Sequence, residues 1–106
     1  MGLLNLFKTK DINVGVRDFH STAGAVLLDV RTPEEYADGH IEGSTNIPLL
    51  SIEQAERVIM NKDTPLFVHC RSGGRSAQAT SVLKRMGYTK VEDIGGILSY
   101  NGRLVR

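Results

Sequence analysis

The sequence predicts a three-layer α/β/α domain with a mainly parallel central sheet, and two observations carry this prediction. Short apolar runs without alternating polar residues are typical of strands that are buried on both faces, as in a parallel sheet covered by helices. These runs alternate with segments of helical periodicity, which gives the order β-α-β-α-β-α-β. The chain has 106 residues, the size of one compact domain with one core.

Four segments have the composition of strands. Residues 25–30 (AVLLDV) and 65–70 (PLFVHC) are continuous apolar runs bounded by turn residues, and they predict central strands. Weaker strand signals cover residues 44–48 (STNIP) and 90–94 (KVEDI). Together these four segments predict the strands of the sheet.

The predicted helices have recognisable ends. Pro33 and the two acidic residues after it are typical of a first helical turn, so residues 32–39 predict a short helix. Residues 75–86 predict a longer helix, and Gly87 suits the left-handed position that follows a helix. The inward stripe of the longer helix consists of Ala79, Val82, Leu83 and Met86.

A further helix is predicted between the strand segments at residues 44–48 and 65–70. Ser51 and Gln54 have the spacing of a capping box, which predicts a helix that begins at Ser51 and ends near residue 61. Its apolar face would consist of Ile52, Ala55, Val58 and Ile59.

Composition and charge limit the classes of function. Hydrophobic residues make up 41% of the chain and charged residues 24%, as in soluble globular proteins, and the net charge of +1 does not suggest a general polyanion binder. Residues 65–91 nevertheless contain five basic residues and no acidic one. This local excess favours a small anion as partner. Nucleic-acid binding has little support, because the basic residues are not interleaved with aromatic ones.

The lack of a recognisable targeting signal and the single cysteine favour a cytoplasmic protein, provided that Met1 is the native N-terminus. The first apolar run is too short for a secretory signal, and its basic residues follow the run instead of preceding it. No stretch approaches the ~20 apolar residues of a membrane-spanning helix. A single cysteine excludes an internal disulfide, a Cys-x-x-Cys redox pair and a cysteine-rich zinc site.

That cysteine, Cys70, has the surroundings of a reactive thiol. It ends a predicted strand, and ligands of open α/β sheets bind beyond the carboxyl ends of the strands. Gly73 and Gly74 allow successive backbone N–H groups to turn toward one point, and the helix that begins near Arg75 directs its positive end there. Both features stabilise a thiolate. The alternative is an inert core cysteine, but such a residue does not need an electropositive loop.

The stretch CRSGGRS at residues 70–76 resembles the active-site loop of rhodanese-type sulfurtransferases. The resemblance extends upstream to residues 27–48 and downstream to residues 83–97, and it covers about residues 12–100. It implies a stand-alone rhodanese-like domain at residues 1–106, in which 1–11 form an N-terminal extension. The fold that it implies has a central sheet of about five strands.

The resemblance also implies a reaction and the residues that perform it. The Cys70 thiolate would take sulfane sulfur from a small anionic donor such as thiosulfate and pass it, as a persulfide, to a thiol, to cyanide or to a protein acceptor. No metal or organic cofactor is implied. The persulfide would be held by the loop that follows the cysteine, which consists of Arg71, Ser72, Gly73, Gly74, Arg75 and Ser76.

The two loop arginines are expected to have different roles. The resemblance implies that Arg75 shapes the loop, by pairing with an acid from another strand end. Arg71 is expected to point outward and attract anionic donors, and its alternative is a solvated surface charge.

Two alternative functions remain beside the enzyme. One is a persulfide carrier or a protein-interaction module without small-molecule turnover. A carrier needs the same intact loop, whereas an interaction module can dock with a partner without using the cysteine. The other is a phosphatase or arsenate reductase. Four residues separate Cys70 from Arg75, whereas the cell-cycle phosphatases and arsenate reductases that share the fold carry five, so this second alternative is disfavoured. No membrane partner is implied, and the oligomeric state stays open.

Several other polar residues at the predicted sheet edge are expected to support the site instead of reacting. Asp29 would anchor the loop by accepting hydrogen bonds, and Arg31 would pair with Glu35 across the turn. His69 should face away from the cysteine that follows it, because adjacent strand residues point to opposite faces. His40 should fix a turn by hydrogen bonding.

Two positions differ from the family pattern that the sequence resembles. Gly74 stands where a larger, often polar residue is common, which predicts a more flexible loop. The chain has no tryptophan, and Tyr100 lies near the place where the family often has one. Its ring is expected to supply the aromatic packing.

Overall fold

The computed structural model describes residues 10–106, so residues 1–9 of the predicted N-terminal extension lie outside the described part of the chain. The strands are β1 (Val26–Asp29), β2 (His40–Ile41), β3 (Ser44–Asn46), β4 (Leu66–Cys70), β5 (Val91–Gly96) and β6 (Leu104–Val105). The α-helices are α1 (Ile12–His20), α2 (Pro33–Asp38), α3 (Ala55–Val58) and α4 (Gly74–Arg85), and two 3₁₀ segments cover Leu49–Gln54 and Ile97–Ser99.

The central sheet has the strand order β3-β1-β4-β5, and all neighbouring strands are parallel. This confirms the three-layer α/β/α fold. The sheet has four strands instead of the expected five or so, because the short strands β2 and β6 pair with each other as an antiparallel ribbon. All four predicted strand segments are present, with ends that differ by one or two residues.

Each face of the sheet has its own apolar core. Leu28 and Val68 point to the face that is covered by α4 and the 3₁₀ segment before α3. Leu27 and Phe67, their neighbours along the strands, point to the face that is covered by α1. Strand side chains alternate between faces, so β1 and β4 need apolar residues at consecutive positions, which explains their uninterrupted apolar runs.

The predictions for α2 and α4 are confirmed. Thr32 caps α2, and its hydroxyl and the Glu35 carboxylate form a capping box. Helix α4 is followed by Gly87 in the left-handed region, at φ +106°. The Tyr88 N–H then donates to the Leu83 carbonyl, which ends the helix as predicted. Among the helices of residues 10–106, none is both long and apolar enough to cross a membrane.

The predicted helix with a Ser51 cap is wrong at both ends. The chain instead forms the 3₁₀ segment Leu49–Gln54 and then the single turn α3, while Ser51 lies in a kink and makes no capping bond. The turn begins early because the Leu49 N–H donates to the Val30 carbonyl, 3.1 Å away, directly after Pro48. The distorted helix leaves Val58 59% exposed, although Ile52, Ala55 and Ile59 are buried as predicted.

The helix before β1 was not predicted. Asp11 caps it by accepting a hydrogen bond from the Asn13 N–H, and Ile12 and Val16 are buried one turn apart. Gly15 interrupts the apolar pattern, which conceals the helix in the sequence. A Cβ atom at Gly15 would overlap the Ile94 side chain, so α1 packs directly onto β5 at this point.

Candidate active site

Cys70 is the last residue of β4 and lies at the carboxyl end of the sheet, as predicted. It is 1% exposed. The backbone N–H of Gly73 donates to its Sγ atom over 3.0 Å. Gly73 has φ +111°, a conformation that side chains disfavour, and this turns its N–H toward the sulfur. Helix α4 begins at the next residue, so its positive end also faces Cys70.

These contacts make the thiol more acidic than an ordinary cysteine. Burial raises the pKa of Cys70, but hydrogen bonding with the Ser76 side chain and with the backbone of Ser76, Gly73 and Ser72 more than offsets it. The net result is a lowered pKa. The loop can therefore stabilise a thiolate, which is the nucleophilic form of cysteine.

The hydroxyl group of Ser76 lies at the centre of this loop. Its Oγ atom is 3.5 Å from Cys70 Sγ. The same atom is 3.0 Å from the Gly73 carbonyl oxygen and 2.8 Å from Oδ1 of Asp93, which lies on β5. The residue is fully buried. Ser76 therefore connects the cysteine to a carboxylate on the neighbouring strand.

Arg75 shapes the loop through a partner on a helix and not through an acid at a strand end. Its two terminal nitrogens bind the Glu35 carboxylate of α2 at 2.6 and 3.0 Å. The predicted pairing of Arg31 with Glu35 is therefore wrong, since Arg75 occupies both carboxylate oxygens. The bidentate geometry fixes the start of α4 against α2.

The Glu35–Arg75 pair predicts a specific dependence of stability on pH. The hydrogen bond from Arg75 lowers the pKa of Glu35 from 4.5 to about 2, against the opposing effect of burial. A carboxyl group whose pKa is lower in the folded state stabilises the protein above its unfolded pKa, and this contribution is lost as the pH falls through its folded pKa. Replacing Glu35 by glutamine should therefore cost about 1 kcal/mol at pH 7, a modest value because the pair is partly exposed.

Urea unfolding of the wild type and of Glu35→Gln at several pH values measures this contribution. The difference in unfolding free energy should be constant from pH 7 to about 5 and should vanish toward pH 2. A difference that persists unchanged at pH 2 would show that the ionised pair is not its source.

Asp29 and Arg31 form a buried ion pair at the carboxyl end of β1. Arg31 Nε and Nη2 donate to the two carboxylate oxygens at 2.8 to 3.1 Å, and the Arg31 backbone N–H donates to Oδ1 at 3.0 Å. Arg31 Nη2 also donates to the Gly39 carbonyl over 2.8 Å. Asp29 was expected to anchor the active-site loop by accepting hydrogen bonds. It instead accepts them from Arg31 at the end of its own strand.

His69 and His40 make their polar contacts with groups other than the Cys70 sulfur. His69 Nε2 is 3.8 Å from Asp29 Oδ2, and burial lowers the pKa of His69 despite that carboxylate. His40 Nδ1 is 2.8 Å from the Tyr36 carbonyl oxygen, and its ring stacks on the Tyr36 ring with centroids 3.8 Å apart. Both positions agree with structural roles.

An open cleft of about 520 Å³ leads to the loop between β4 and α4. Arg71 is exposed and lines this cleft, together with Lys10, Asp93 and Leu98. Lys10 Nζ lies 3.5 Å from Asp93 Oδ2. Arg71 was predicted from the sequence to lie near the site, whereas Lys10 and Asp93 were not. Asp93 belongs to the strand predicted at residues 90–94, but nothing in the sequence places that strand next to the one that ends at Cys70.

The structure shows the surroundings of Gly74 and Tyr100, the two positions that differ from the family pattern. Gly74 is the first residue of α4, its φ is not positive, and a Cβ atom there would meet no neighbour within 4 Å. The backbone therefore does not require glycine at this position. Tyr100 is partly buried against the core on the α1 face, where it supplies aromatic packing.

Comparisons with known proteins agree with this geometry. The profile of the rhodanese-like domain family matches residues 16–102. Thiosulfate sulfurtransferase PspE of Escherichia coli is 41% identical over 71 residues, which cover 66% of this chain and 68% of that protein. Thiosulfate sulfurtransferase 16 of Arabidopsis thaliana, a chloroplastic protein, is 40% identical over 86 residues, which cover 70% and 71%.

Solved structures show the same fold. A rhodanese from E. coli, solved with anions, matches with a TM-score of 0.72 at 36% identity, over 77% of this chain and 98% of that one. A human single-domain sulfurtransferase matches with a TM-score of 0.69 at 28% identity, over 80% of this chain and 88% of that one. With a family profile that matches well over half of its residues, this chain belongs to the rhodanese-like domain family.

Proposed function

We propose that this protein is a sulfurtransferase in which the Cys70 thiolate takes up sulfane sulfur as a persulfide. The observation that carries the proposal is the hydrogen bond of 3.0 Å from the Gly73 N–H to Cys70 Sγ, at the N-terminus of α4. A hydrogen-bond donor that is already fixed at the sulfur before the reaction stabilises the thiolate without any rearrangement of the loop. The thiosulfate sulfurtransferases among its relatives support the same chemistry.

The reaction has two half-reactions that share Cys70. In the first, the thiolate attacks the outer sulfur of the donor, and a new S–S bond forms as the donor's S–S bond breaks. With thiosulfate as donor, sulfite leaves with the electron pair. In the second, an acceptor such as cyanide or a thiolate attacks the outer sulfur of the persulfide, and the electron pair returns to Cys70 as the thiolate. No oxidant or reductant is consumed.

The cleft beside the loop suits the approach of an anionic donor. Arg71 and Lys10 both line it and are exposed. Cations around an open cleft attract small anions and raise their local concentration. The backbone N–H groups of the loop at residues 71–76 would hold the persulfide anion, and the contacts of the Ser72, Gly73 and Ser76 backbone with the Cys70 sulfur support this role.

Hydrolysis of phosphate or reduction of arsenate is less well supported. Such enzymes need a loop that encloses a tetrahedral oxyanion, and here four residues separate Cys70 from Arg75. The Arg75 guanidinium is also bound at two nitrogens by Glu35. An arginine held in this way serves the loop's shape instead of the substrate.

We further propose that one domain suffices for the reaction and that the protein acts in the cytoplasm. The contacts described for the loop come from β4, β5, α2 and α4, which lie within the stretch that matches the family. A single reactive cysteine stays reduced in the cytosol, where disulfides are rare.

Steady-state kinetics with thiosulfate and cyanide test this proposal. Varying both substrates should give parallel lines in double-reciprocal plots, the signature of a covalent intermediate. The Cys70→Ser variant should lose at least about 10⁴-fold in turnover. An absence of turnover with small acceptors, combined with transfer to a protein thiol, would indicate a carrier instead. Hydrolysis of an aryl phosphate at a comparable rate would contradict the proposal.

A further inference from the structure

The Ser76 hydroxyl has one proton and several acceptors around it. Oδ1 of Asp93 is 2.8 Å away, the Gly73 carbonyl oxygen 3.0 Å and the Gly95 carbonyl oxygen 3.5 Å. The sulfur of Cys70 is also 3.5 Å away. A hydroxyl donates only one hydrogen bond at a time. The Ser76 proton is therefore available to the Cys70 sulfur only when none of the oxygen acceptors holds it.

Asp93 is the strongest of these acceptors. Hydrogen bonds to a carboxylate are about twice as strong as those between neutral groups. The carboxylate is held in place, because its Oδ1 also accepts the Gly95 N–H at 3.0 Å and its Oδ2 lies 3.5 Å from Lys10 Nζ. Its side chain is only 8% exposed, so water screens it weakly. The shortest and most charged contact of Ser76 is thus the one to Asp93.

This arrangement links the state of Ser76 to the state of Cys70. While Ser76 donates to Asp93, its oxygen can accept a hydrogen bond from the Cys70 thiol. The thiol then donates to the hydroxyl, and the hydroxyl donates to the carboxylate. A thiolate has no proton to give. To stabilise it, Ser76 must turn its own proton from the carboxylate to the sulfur.

We propose that Asp93 is a positioning residue that acts through Ser76 and limits the fraction of Cys70 that is ionised. The loop supplies donors that favour the thiolate, and Asp93 withholds one of them. Once sulfur has been added, the negative charge lies on the outer sulfur, and Ser76 can donate to Asp93 again. The consequence for turnover rests on the proposed function, whereas the ionisation of Cys70 is measurable without it.

Other titratable and charged groups lie near the loop and are not substituted in the test. They come from every element packed against the loop, and they are Lys10, Asp29, Arg31, Glu35, His69, Arg71 and Arg75. Asp93→Asn also leaves Lys10 without its partner at Oδ2, and the double-mutant cycle below separates such a direct effect of charge from an effect that passes through Ser76.

The test is the rate of alkylation of Cys70 by iodoacetamide as a function of pH, which gives the midpoint of thiol ionisation. Asp93→Asn should lower this midpoint by about one pH unit, which corresponds to about tenfold more thiolate below the midpoint. The asparagine Oδ1 still accepts from the Gly95 N–H, so the fold is kept, but as a neutral oxygen it is a weaker acceptor for the Ser76 hydroxyl than the carboxylate. Glu92→Gln is the matched control, since it removes a charge from the exposed neighbour on β5, and it should leave the midpoint unchanged.

A double-mutant cycle with Ser76→Ala separates an effect through Ser76 from a direct effect of charge. If Asp93 acts through Ser76, then Asp93→Asn should shift the midpoint by less than about a third of a pH unit when Ser76 is absent. An equal shift with and without Ser76 would overturn the proposal in favour of direct repulsion. No shift in the single variant would also overturn it. Failure of sulfur transfer in the wild type would refute the proposed function without affecting either result.

Discussion

Replacing Gly96 with alanine is expected to lower turnover about 100-fold, because the active-site loop would be displaced. Gly96 ends β5, and a Cβ atom there would overlap the Arg71 carbonyl oxygen and lie 2.7 Å from the Ser72 Cα atom. Both obstacles are backbone atoms, which cannot rotate away. The Arg71 carbonyl also accepts a hydrogen bond from the Leu98 N–H, at 3.1 Å, so the loop is tied on this side.

The same substitution should reduce the free energy of unfolding by about 1–3 kcal/mol, as expected for overpacking. Gly74→Ala is the matched control for stability, because its added methyl group meets no neighbour and lies in a helix. That variant should be more stable than the wild type by about 0.5–1 kcal/mol. Wild-type turnover and stability in Gly96→Ala would contradict the described packing of β5 against the loop.

Replacing Arg31 with leucine is expected to cost about 3–5 kcal/mol of unfolding free energy. Arg31 is 6% exposed and Asp29 is fully buried, so the variant leaves a carboxylate without its counter-ion inside the protein. It also removes the donor to the Gly39 carbonyl. Urea unfolding measures the loss, which is a large fraction of the stability of a small domain.

The double variant Asp29→Asn with Arg31→Leu is the control for this explanation. A neutral amide costs less to bury than an unpaired carboxylate, so the double variant should recover part of the lost stability. A cost below about 1 kcal/mol for Arg31→Leu alone, the range of exposed ion pairs, would show that the pair is not the buried one described.

The fold could be predicted mainly where the sequence pattern is local. The strands β1 and β4 are buried on both faces, so their apolar runs are continuous and easy to identify. The end of α4 at Gly87 follows from the left-handed conformation that glycine favours. By contrast, Ser51 has a capping pattern that the chain does not use, since the hydrogen bond from the Leu49 N–H to a β1-flanking carbonyl starts the turn earlier.

The candidate site, too, could be predicted only where its residues are neighbours in sequence. Cys70, Gly73 and the start of α4 are neighbours in sequence, so their arrangement could be predicted from the loop alone. The contacts of Glu35 with Arg75 and of Asp93 with Ser76 join residues 40 and 17 positions apart. Such pairings depend on how strands and helices pack, and the sequence pattern carried no signal for them. The predicted Arg31–Glu35 pair failed for this reason.

The most direct test of the persulfide mechanism is the mass of the intact protein after incubation with thiosulfate. The wild type should gain about 32 Da, one sulfur atom, and should lose it again when cyanide is added. The Cys70→Ser variant should show no gain. A wild-type protein that remains unmodified by thiosulfate and by a stronger persulfide donor, or a gain that persists in Cys70→Ser, would contradict sulfur transfer through Cys70.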